Sequence, residues 1–194
     1  MLWIAQAFAA EREVGIELHV LPRMDGPGEE VGMGRAVTLP SARVAWPLME
    51  HVSLLGTIGV SSTSGALVVP GFSEELRSTW TGGLLGVGAK AGWQFGEWFE
   101  LYGTAQGLGM LQDVRSDDDP EDDQNLTQAA SVGLTGGLQG TLGATIRIPM
   151  GESRYAASIY GELGGDWLAP APIGDLGAIH YGGVTGRIGT GFRF

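Results

Sequence analysis

Seven charged residues of this chain occupy positions that favour pairing with one another over exposure to water. They alternate with apolar residues, as in Ile16-Glu17-Leu18 and Ile146-Arg147-Ile148, so on a strand they share the face opposite the apolar one, which we predict to line a lumen. Because a charge that is removed from water must be paired, they predict a network of salt bridges, with a proton or ion path as the alternative. The seven residues are Glu17, Arg43, Lys90, Glu100, Arg147, Glu162 and Arg187.

A second candidate site is a run of acidic residues with the sequence D-V-R-S-D-D-D-P-E-D-D at 113–123. Carboxylate oxygens are suitable ligands for Ca²⁺ or Mg²⁺. The run lacks the spacing and the glycine of an EF-hand, so we predict a solvated loop, with a divalent-cation site as the alternative. The candidate ligands are Asp117, Asp118, Asp119, Asp122 and Asp123.

Histidines are the remaining candidates for catalysis, and there are three of them, His19, His51 and His180. No serine follows His180 closely, and the chain has no cysteine. The lack of cysteine excludes disulfides, thiol catalysis and cysteine metal sites. The sequence therefore predicts no catalytic residue, no resident metal and no cofactor.

Composition narrows the class of protein that must position these residues. Glycine accounts for 34 of the 194 residues, and only 17% of residues are charged. Glycine is poor in helices but useful where a sheet curves sharply or where backbones crowd together. The net charge of −11 argues against a nucleic-acid partner, because no basic stripe is available to neutralise phosphates.

Alternation of apolar with polar or small residues predicts strands along nearly the whole chain. It is clearest at the end of the chain, where Phe194, Phe192, Ile188 and Val184 share one face with a threonine and a glycine. A bulge is expected at Pro40, because proline cannot donate to a strand ladder. The eight predicted strands are 13–21, 35–46, 51–62, 79–95, 98–110, 129–149, 155–167 and 182–194.

The connections between these strands alternate in length, and their ends differ in composition. Long connections follow the first, third, fifth and seventh strands, and short turns follow the others. Aromatic residues collect near the short turns, as expected where a protein crosses a membrane interface. They are Trp46, Trp93, Phe95, Trp98, Phe99, Tyr155, Phe192 and Phe194.

In these features the chain resembles the small eight-stranded outer-membrane β-barrels of the OmpA and OmpX type. The resemblance covers about residues 11–194, and its most specific part is the ending G-T-G-F-R-F. It implies an all-β, antiparallel, up-and-down transmembrane barrel in the bacterial outer membrane. Phe192 and Phe194 would form the signal that the barrel-assembly machinery reads, and outer-membrane lipid and lipopolysaccharide would be further partners.

Residues 1–10 stand apart from the barrel. Ala7-Phe8-Ala9 has the small-x-small form of a secretory cleavage site after an apolar run, although no basic start precedes it. We interpret this segment as the end of a signal peptide, with an ordinary N-terminal arm as the alternative.

An eight-stranded barrel is only wide enough for side chains to fill, so the predicted lumen is plugged by the seven charges. The predicted role is structural or one of surface interaction through the long loops. Divalent bridging from the acidic run to lipopolysaccharide phosphates is the alternative to a solvated loop. The alternatives are a hydrolase that acts on lipid A through His180, a narrow solute channel, and a soluble lipocalin-like barrel with the two faces reversed.

Overall fold

The computed structural model describes residues 12–25, 35–68, 75–117, 130–151, 155–172 and 178–194. The segment 1–10, with its predicted cleavage site, lies outside these residues. Among the residues described there is no helix of the length and apolarity needed to cross a membrane.

The described residues form nine strands, eight of which build a barrel. The short turns after the second, fourth and sixth strands define its turn end, and the opposite rim is its loop end. The strands are β1 (Glu13–Asp25), β2 (Ala36–Met49), β3 (Val52–Val68), β4 (Glu75–Phe95), β5 (Phe99–Asp117), β6 (Ala130–Pro149), β7 (Ala156–Leu168), β8 (Ala171–Pro172) and β9 (Ala178–Arg193).

The barrel is closed by its first and last strands. Each barrel strand pairs antiparallel with the next, and β1 pairs with β9 from Glu13 opposite Arg193 upwards. The pairing continues to the last residue, because Arg12 and Phe194 exchange two backbone hydrogen bonds of 2.9 and 3.0 Å. The predicted fold class, an eight-stranded antiparallel up-and-down barrel, is therefore confirmed.

The stagger of the strands follows from their register. We start at Phe95 on β4 and step from each residue to the one paired with it on the next strand. After one turn around the barrel this path returns to β4 at Leu85, so the stagger is ten residues. With strands about 4.8 Å apart and a rise of about 3.3 Å per residue, this stagger tilts the strands by about 40°. Each residue then advances about 2.5 Å along the barrel axis.

The two faces of the wall have opposite characters. Outward positions carry large apolar side chains, of which Leu142 is 75% exposed and Ile16 70%. Inward positions between the turn end and the loop end carry most of the buried charged and amide side chains. This distribution contradicts the lipocalin-like alternative, which would need the apolar face inside.

Aromatic side chains gather on the outer surface at the turn end, as predicted. Tyr155, Phe192 and Phe194 stack in sequence, with ring centroids 5.6 and 6.2 Å apart. The guanidinium of Arg12 lies 3.8 Å from the centre of the Trp46 ring. Tyr155, just before β7, and Trp167, near the end of β7, face outward twelve residues apart, or about 30 Å along the axis, which is the thickness of a bilayer core.

The strands extend further at the loop end than the sequence pattern predicts. β5 continues to Asp117 and β3 to Val68, whereas we expected them to end at 110 and 62. Hydroxyl and charged residues on the outer face break the apolar alternation there, although the ladder of hydrogen bonds continues. β3 to β6, with 17 to 21 residues each, therefore rise above the shorter strands on the other side.

The expectation of a bulge at Pro40 is wrong. β1 and β2 pair without a register shift from Ala36 to Ala45, and Pro40 lies opposite Leu18. On its other edge β2 pairs with β3 only from Ser41 onwards among the described residues. The proline therefore marks the point where β2 and β3 separate towards the loop end.

Glycine is required where the lumen is most crowded. A Cβ atom at Gly143 would lie 2.6 Å from Cζ of Tyr102 and 2.8 Å from Cγ of Glu162. At Gly164 it would lie 2.0 Å from the carbonyl oxygen of Gly140. The abundance of glycine thus allows large polar side chains and close backbones to share a narrow interior.

We predict that Gly143→Val lowers the free energy of unfolding by about 1–3 kcal/mol, because it overpacks the ring of Tyr102. The matched control is Gly109→Val on the outer surface, where a Cβ meets no atom within 4 Å. Equilibrium unfolding in lipid vesicles compares the two variants. Equal free energies of unfolding for the two variants would contradict the claim that the lumen around Gly143 is crowded.

Candidate functional site: the lumen

The interior of the barrel is the candidate functional site, and it is built in four layers from the turn end to the loop end. A lower cluster (Glu13, Lys90, Glu100, Arg147, Arg193) lies beneath a middle cluster (Glu17, Arg43, Glu162, Arg187). An upper cluster (His19, Gln139, Asp166, Thr185) follows. An apolar cap closes the loop end; its largest members are Trp80, Tyr181, Leu21, Leu39, Leu84, Met110 and Ile179.

The lower cluster is centred on two carboxylates that share three basic side chains. Oε2 of Glu100 lies 2.6 Å from Nη2 of Arg147, 3.1 Å from Nζ of Lys90 and 3.2 Å from Nη2 of Arg193. Glu13 accepts a hydrogen bond of 3.1 Å from Arg193 and lies 3.8 Å from Lys90. The cluster therefore links β1, β4, β5, β6 and β9 across the lumen.

The middle cluster is centred on Arg43, which lies between two carboxylates. Its guanidinium donates to Glu162 and lies 3.5 Å from Oε2 of Glu17, while Nη1 of Arg187 lies 3.2 Å from Oε1 of Glu17. Tyr160 donates its hydroxyl proton to Glu17 over 3.1 Å. Every carboxylate in this layer is therefore matched by a guanidinium and supported by hydroxyl donors.

The upper cluster combines a histidine, a carboxylate and a hydroxyl, but not in the arrangement of a catalytic triad. Nε2 of His19 lies 3.1 Å from Asp166 and 3.0 Å from the hydroxyl of Thr185. A triad needs the acid on one ring nitrogen and the nucleophile on the other, whereas here both contact the same nitrogen. The Thr185 hydroxyl also donates to the carbonyl of Val20, and His19 has no exposed surface.

The apolar cap was not predicted from the sequence. At its centre the amide oxygen of Gln112 accepts hydrogen bonds from Tyr181, at 2.8 Å, and from the Trp80 indole, at 3.2 Å. These bonds satisfy the polar groups of two large rings inside an otherwise apolar layer. The cap therefore places a packed, mostly apolar layer above the charged layers.

A short inward segment after β7 completes the cap. The backbone N–H of Ala169 donates to the carbonyl of Gly136 over 2.9 Å, and β8 pairs with the start of β9. Ala171 is fully buried in the cap. The segment thus occupies the wall between β6 and β9, where β7 has already ended.

The charges inside the barrel balance. Five buried carboxylates (Glu13, Glu17, Glu100, Glu162, Asp166) accompany five buried basic side chains (Arg43, Lys90, Arg147, Arg187, Arg193) among the residues that the structure describes. The net charge of −11 must therefore come from elsewhere in the chain. In the sequence, the stretches 22–36, 68–79, 113–130 and 169–178, which connect β1 with β2, β3 with β4, β5 with β6 and β7 with β9, hold thirteen acidic and four basic residues.

The structure buries all seven charged residues of the predicted network and brings them into two connected clusters. Glu162 and Arg187 lie opposite one another in the ladder, and Glu162 also contacts Arg43 across the lumen. The sequence analysis missed Glu13, Arg193 and Asp166 as members. The alternation along the strands could have identified them as inward. Glu13 and Glu17 lie on the same face of β1, and Arg193 lies on the same face of β9 as Arg187.

The candidate cation ligands and the other two histidines are not among these buried residues of the described lumen. Asp118, Asp119, Asp122 and Asp123 are outside the described residues, and Asp117 is the last residue of β5. No group of three or more His, Cys, Asp or Glu residues that could hold a metal occurs in the described part of the chain. His51 lies at a turn and stacks on Trp93, and His180 is half-buried near the loop end.

Solved structures with this fold include two bacterial outer-membrane proteins. One is Ail, the attachment invasion locus protein of Yersinia pestis, in complex with the heparin analogue sucrose octasulfate, at 12% identity and a TM-score of 0.52. That match covers 95% of this chain and 99% of Ail. The other is the outer membrane protein OprG from Pseudomonas aeruginosa, at 10% identity, a TM-score of 0.51 and 96% coverage of both chains.

No model of a protein family matches the sequence, and no curated protein matches it either. The structural likeness to Ail and OprG shows that the chain has the fold of the small eight-stranded outer-membrane barrels. This is the fold that the resemblance in its sequence implied.

We predict that Arg43→Leu lowers the free energy of unfolding by about 3–5 kcal/mol, because it leaves the buried carboxylates of Glu17 and Glu162 without a shared partner. Adding Glu162→Gln to that variant should recover part of the loss. Arg115→Leu, which removes an exposed ion pair with Asp113, is the control and should cost about 0–1 kcal/mol. Additive effects of the Arg43 and Glu162 substitutions in unfolding experiments would contradict the coupling.

Proposed function

We propose that this protein is an integral β-barrel of the bacterial outer membrane, with a plugged lumen and a structural or surface-interaction role at its loop end. The observation that carries the proposal is the contrast between its two faces. Balanced, buried ion pairs fill the inside below an apolar cap, and large apolar side chains cover the outside. Such an outer surface is stable against lipid and unfavourable against water.

The filled interior argues against a solute channel. A water-filled pore needs unobstructed polar surface along its length, whereas the apolar cap interrupts the polar layers before they reach the loop end. The charged layers are also tied across the barrel, as by the contact of Arg43 on β2 with Glu162 on β7. Passage of an ion would require several of these pairs and the cap to separate together.

The histidines give little support to lipid hydrolysis. His19 is sealed inside the barrel, where no lipid reaches it. In the ladder between β9 and β1, the position opposite His180 is Asp25, which is not a nucleophile of the serine type. The fold is compatible with a protein that is not an enzyme.

The loop end is the part of the molecule that a partner outside the cell would meet. There β3 to β6 rise beyond the other strands, and acidic residues predominate in the adjoining segments. A sulfated polyanion such as the ligand bound to Ail would be repelled by this charge. The chemistry instead favours cationic partners, or divalent cations that bridge to lipopolysaccharide phosphates.

We predict that the purified protein shows no steady conductance in planar lipid bilayers, because the cap and the salt bridges leave no continuous aqueous path. Single-channel recording at several voltages makes the measurement, and a porin of known conductance serves as the positive control. A steady, large conductance would overturn the plugged lumen without affecting the assignment of the barrel to a membrane.

A further inference from the structure

The wall of the barrel divides between β2 and β3 on the way to the loop end. These two strands pair up to Ser41 opposite Gly59, and their ladder stops there. Both strands nevertheless continue, β2 to Ala36 and β3 to Val68, in their pairings with β1 and β4. Within the described part of the chain, no other strand pairs with the two edges that are left. We call the space between these edges, above Ser41 and Gly59, the fork.

The fork begins at a depth that lipid covers. Trp167, near the end of β7, marks the upper interface, and the tilt of the strands places Gly59 about 5 Å below it. The inward side chains of β3 show the opening, since Thr57 is buried whereas Ser61 and Thr63 above it are half-buried. Unpaired strand edges carry free N–H and C=O groups, which are costly in hydrocarbon. The fork therefore requires hydrogen-bonding groups from a molecule that resides at this depth.

An apolar groove on the outer surface extends up to the fork. It has a volume of about 770 Å³ and is lined almost entirely by apolar groups of β1, β2, β3, β7 and β9. The small side chain of Ala42 forms its floor, because the ladder places it between Ile16 and Ile58, which are 70% and 59% exposed. From Thr190 to Val60 the groove extends about 15 Å along the axis, which is half the thickness of a bilayer core.

Hydroxyl side chains lie on both sides of the fork where it meets the interface. Thr38 on β2 and Ser62 on β3 face outward, are exposed and lie within about 3 Å of the height of Trp167. Together with the backbone groups of the two edges they form a polar end above the apolar groove. A ligand that matches both parts has a hydrocarbon chain one leaflet long and a hydrogen-bonding head.

From this placement, and on the basis of the proposed function, we infer that the groove binds one acyl chain of lipid A, with the amide or ester of that chain in the fork. The fork opens towards the loop end, so the lipid belongs to the outer leaflet. Its amide and hydroxyl groups supply the donors and acceptors that the two edges lack. A second barrel or a transmembrane helix offers only side chains at this depth, because its own backbone is already paired.

The test fills the groove without changing the lumen. Ala42→Trp places a large ring on the floor of the groove, and the control Ala89→Trp places the same ring on the outer surface of β4 at a similar depth, outside the groove. Each protein is reconstituted in nanodiscs of phosphatidylcholine with a small fraction of lipid A. Native mass spectrometry after release into mild detergent then measures the lipid that stays bound.

We expect one lipid A on the native barrel and on Ala89→Trp, and about tenfold less on Ala42→Trp. Equal retention by the two variants, retention of phosphatidylcholine in place of lipid A, or a homodimer without bound lipid would overturn the inference. Heat-dependent migration on a gel is recorded for all three proteins. A protein without that shift would contradict the proposed function, whereas a closed barrel without lipid would contradict the inference alone.

Hydrogen exchange at the fork provides a second measurement. Lipid A should slow the exchange of backbone amides in the ranges 36–39 and 60–68 of the native protein, because its head occupies the fork. In Ala42→Trp the same amides should exchange as they do in phosphatidylcholine alone. Exchange in the native protein that lipid A leaves unchanged would overturn the inference.

Discussion

The pairing of β1 with β9 is the constraint on which the rest of the structure depends. In a bilayer no water is present to satisfy a backbone N–H or C=O group, and each unsatisfied group costs several kcal/mol. A sheet of eight strands meets this requirement only when its two edges join. Here the pairing of β1 with β9 extends from the loop end to the backbone hydrogen bonds between Arg12 and Phe194 at the turn end. The last residues of the chain are therefore part of the wall.

Closure at this size determines the chemistry of the interior. An eight-stranded barrel has room for side chains and little else, so every inward group must find its partner among other inward groups. The five carboxylates and five basic side chains balance in charge, and pairs such as Arg43 with Glu162 contact one another across the lumen. Glycines such as Gly143 supply the space that the large side chains need. On the proposed function, the same packing that stabilises the barrel also blocks it.

Most of the wall could be predicted from sequence because period-two alternation is a local property. The alternation that places Ile16 outside and Glu17 inside also places the seven charged residues on the lumen side. The cap could not be predicted in this way. Leu21 and Tyr181 face inward among apolar or aromatic neighbours on other strands, and only the stagger of ten residues brings these positions together. Contacts such as that of Arg43 with Glu162 span the lumen, and alternation within a strand carries no information about them.

Heat-modifiable migration tests the central claim, a closed barrel with its apolar face in lipid, most directly. Outer-membrane fractions from cells that make the protein are solubilised in sodium dodecyl sulfate, and boiled and unboiled halves are compared on a gel. A closed barrel resists the detergent until it is heated, so we expect a band in the membrane fraction that migrates faster before boiling than after. Identical migration of the two samples, or recovery of the protein as a soluble monomer without detergent, would contradict the account.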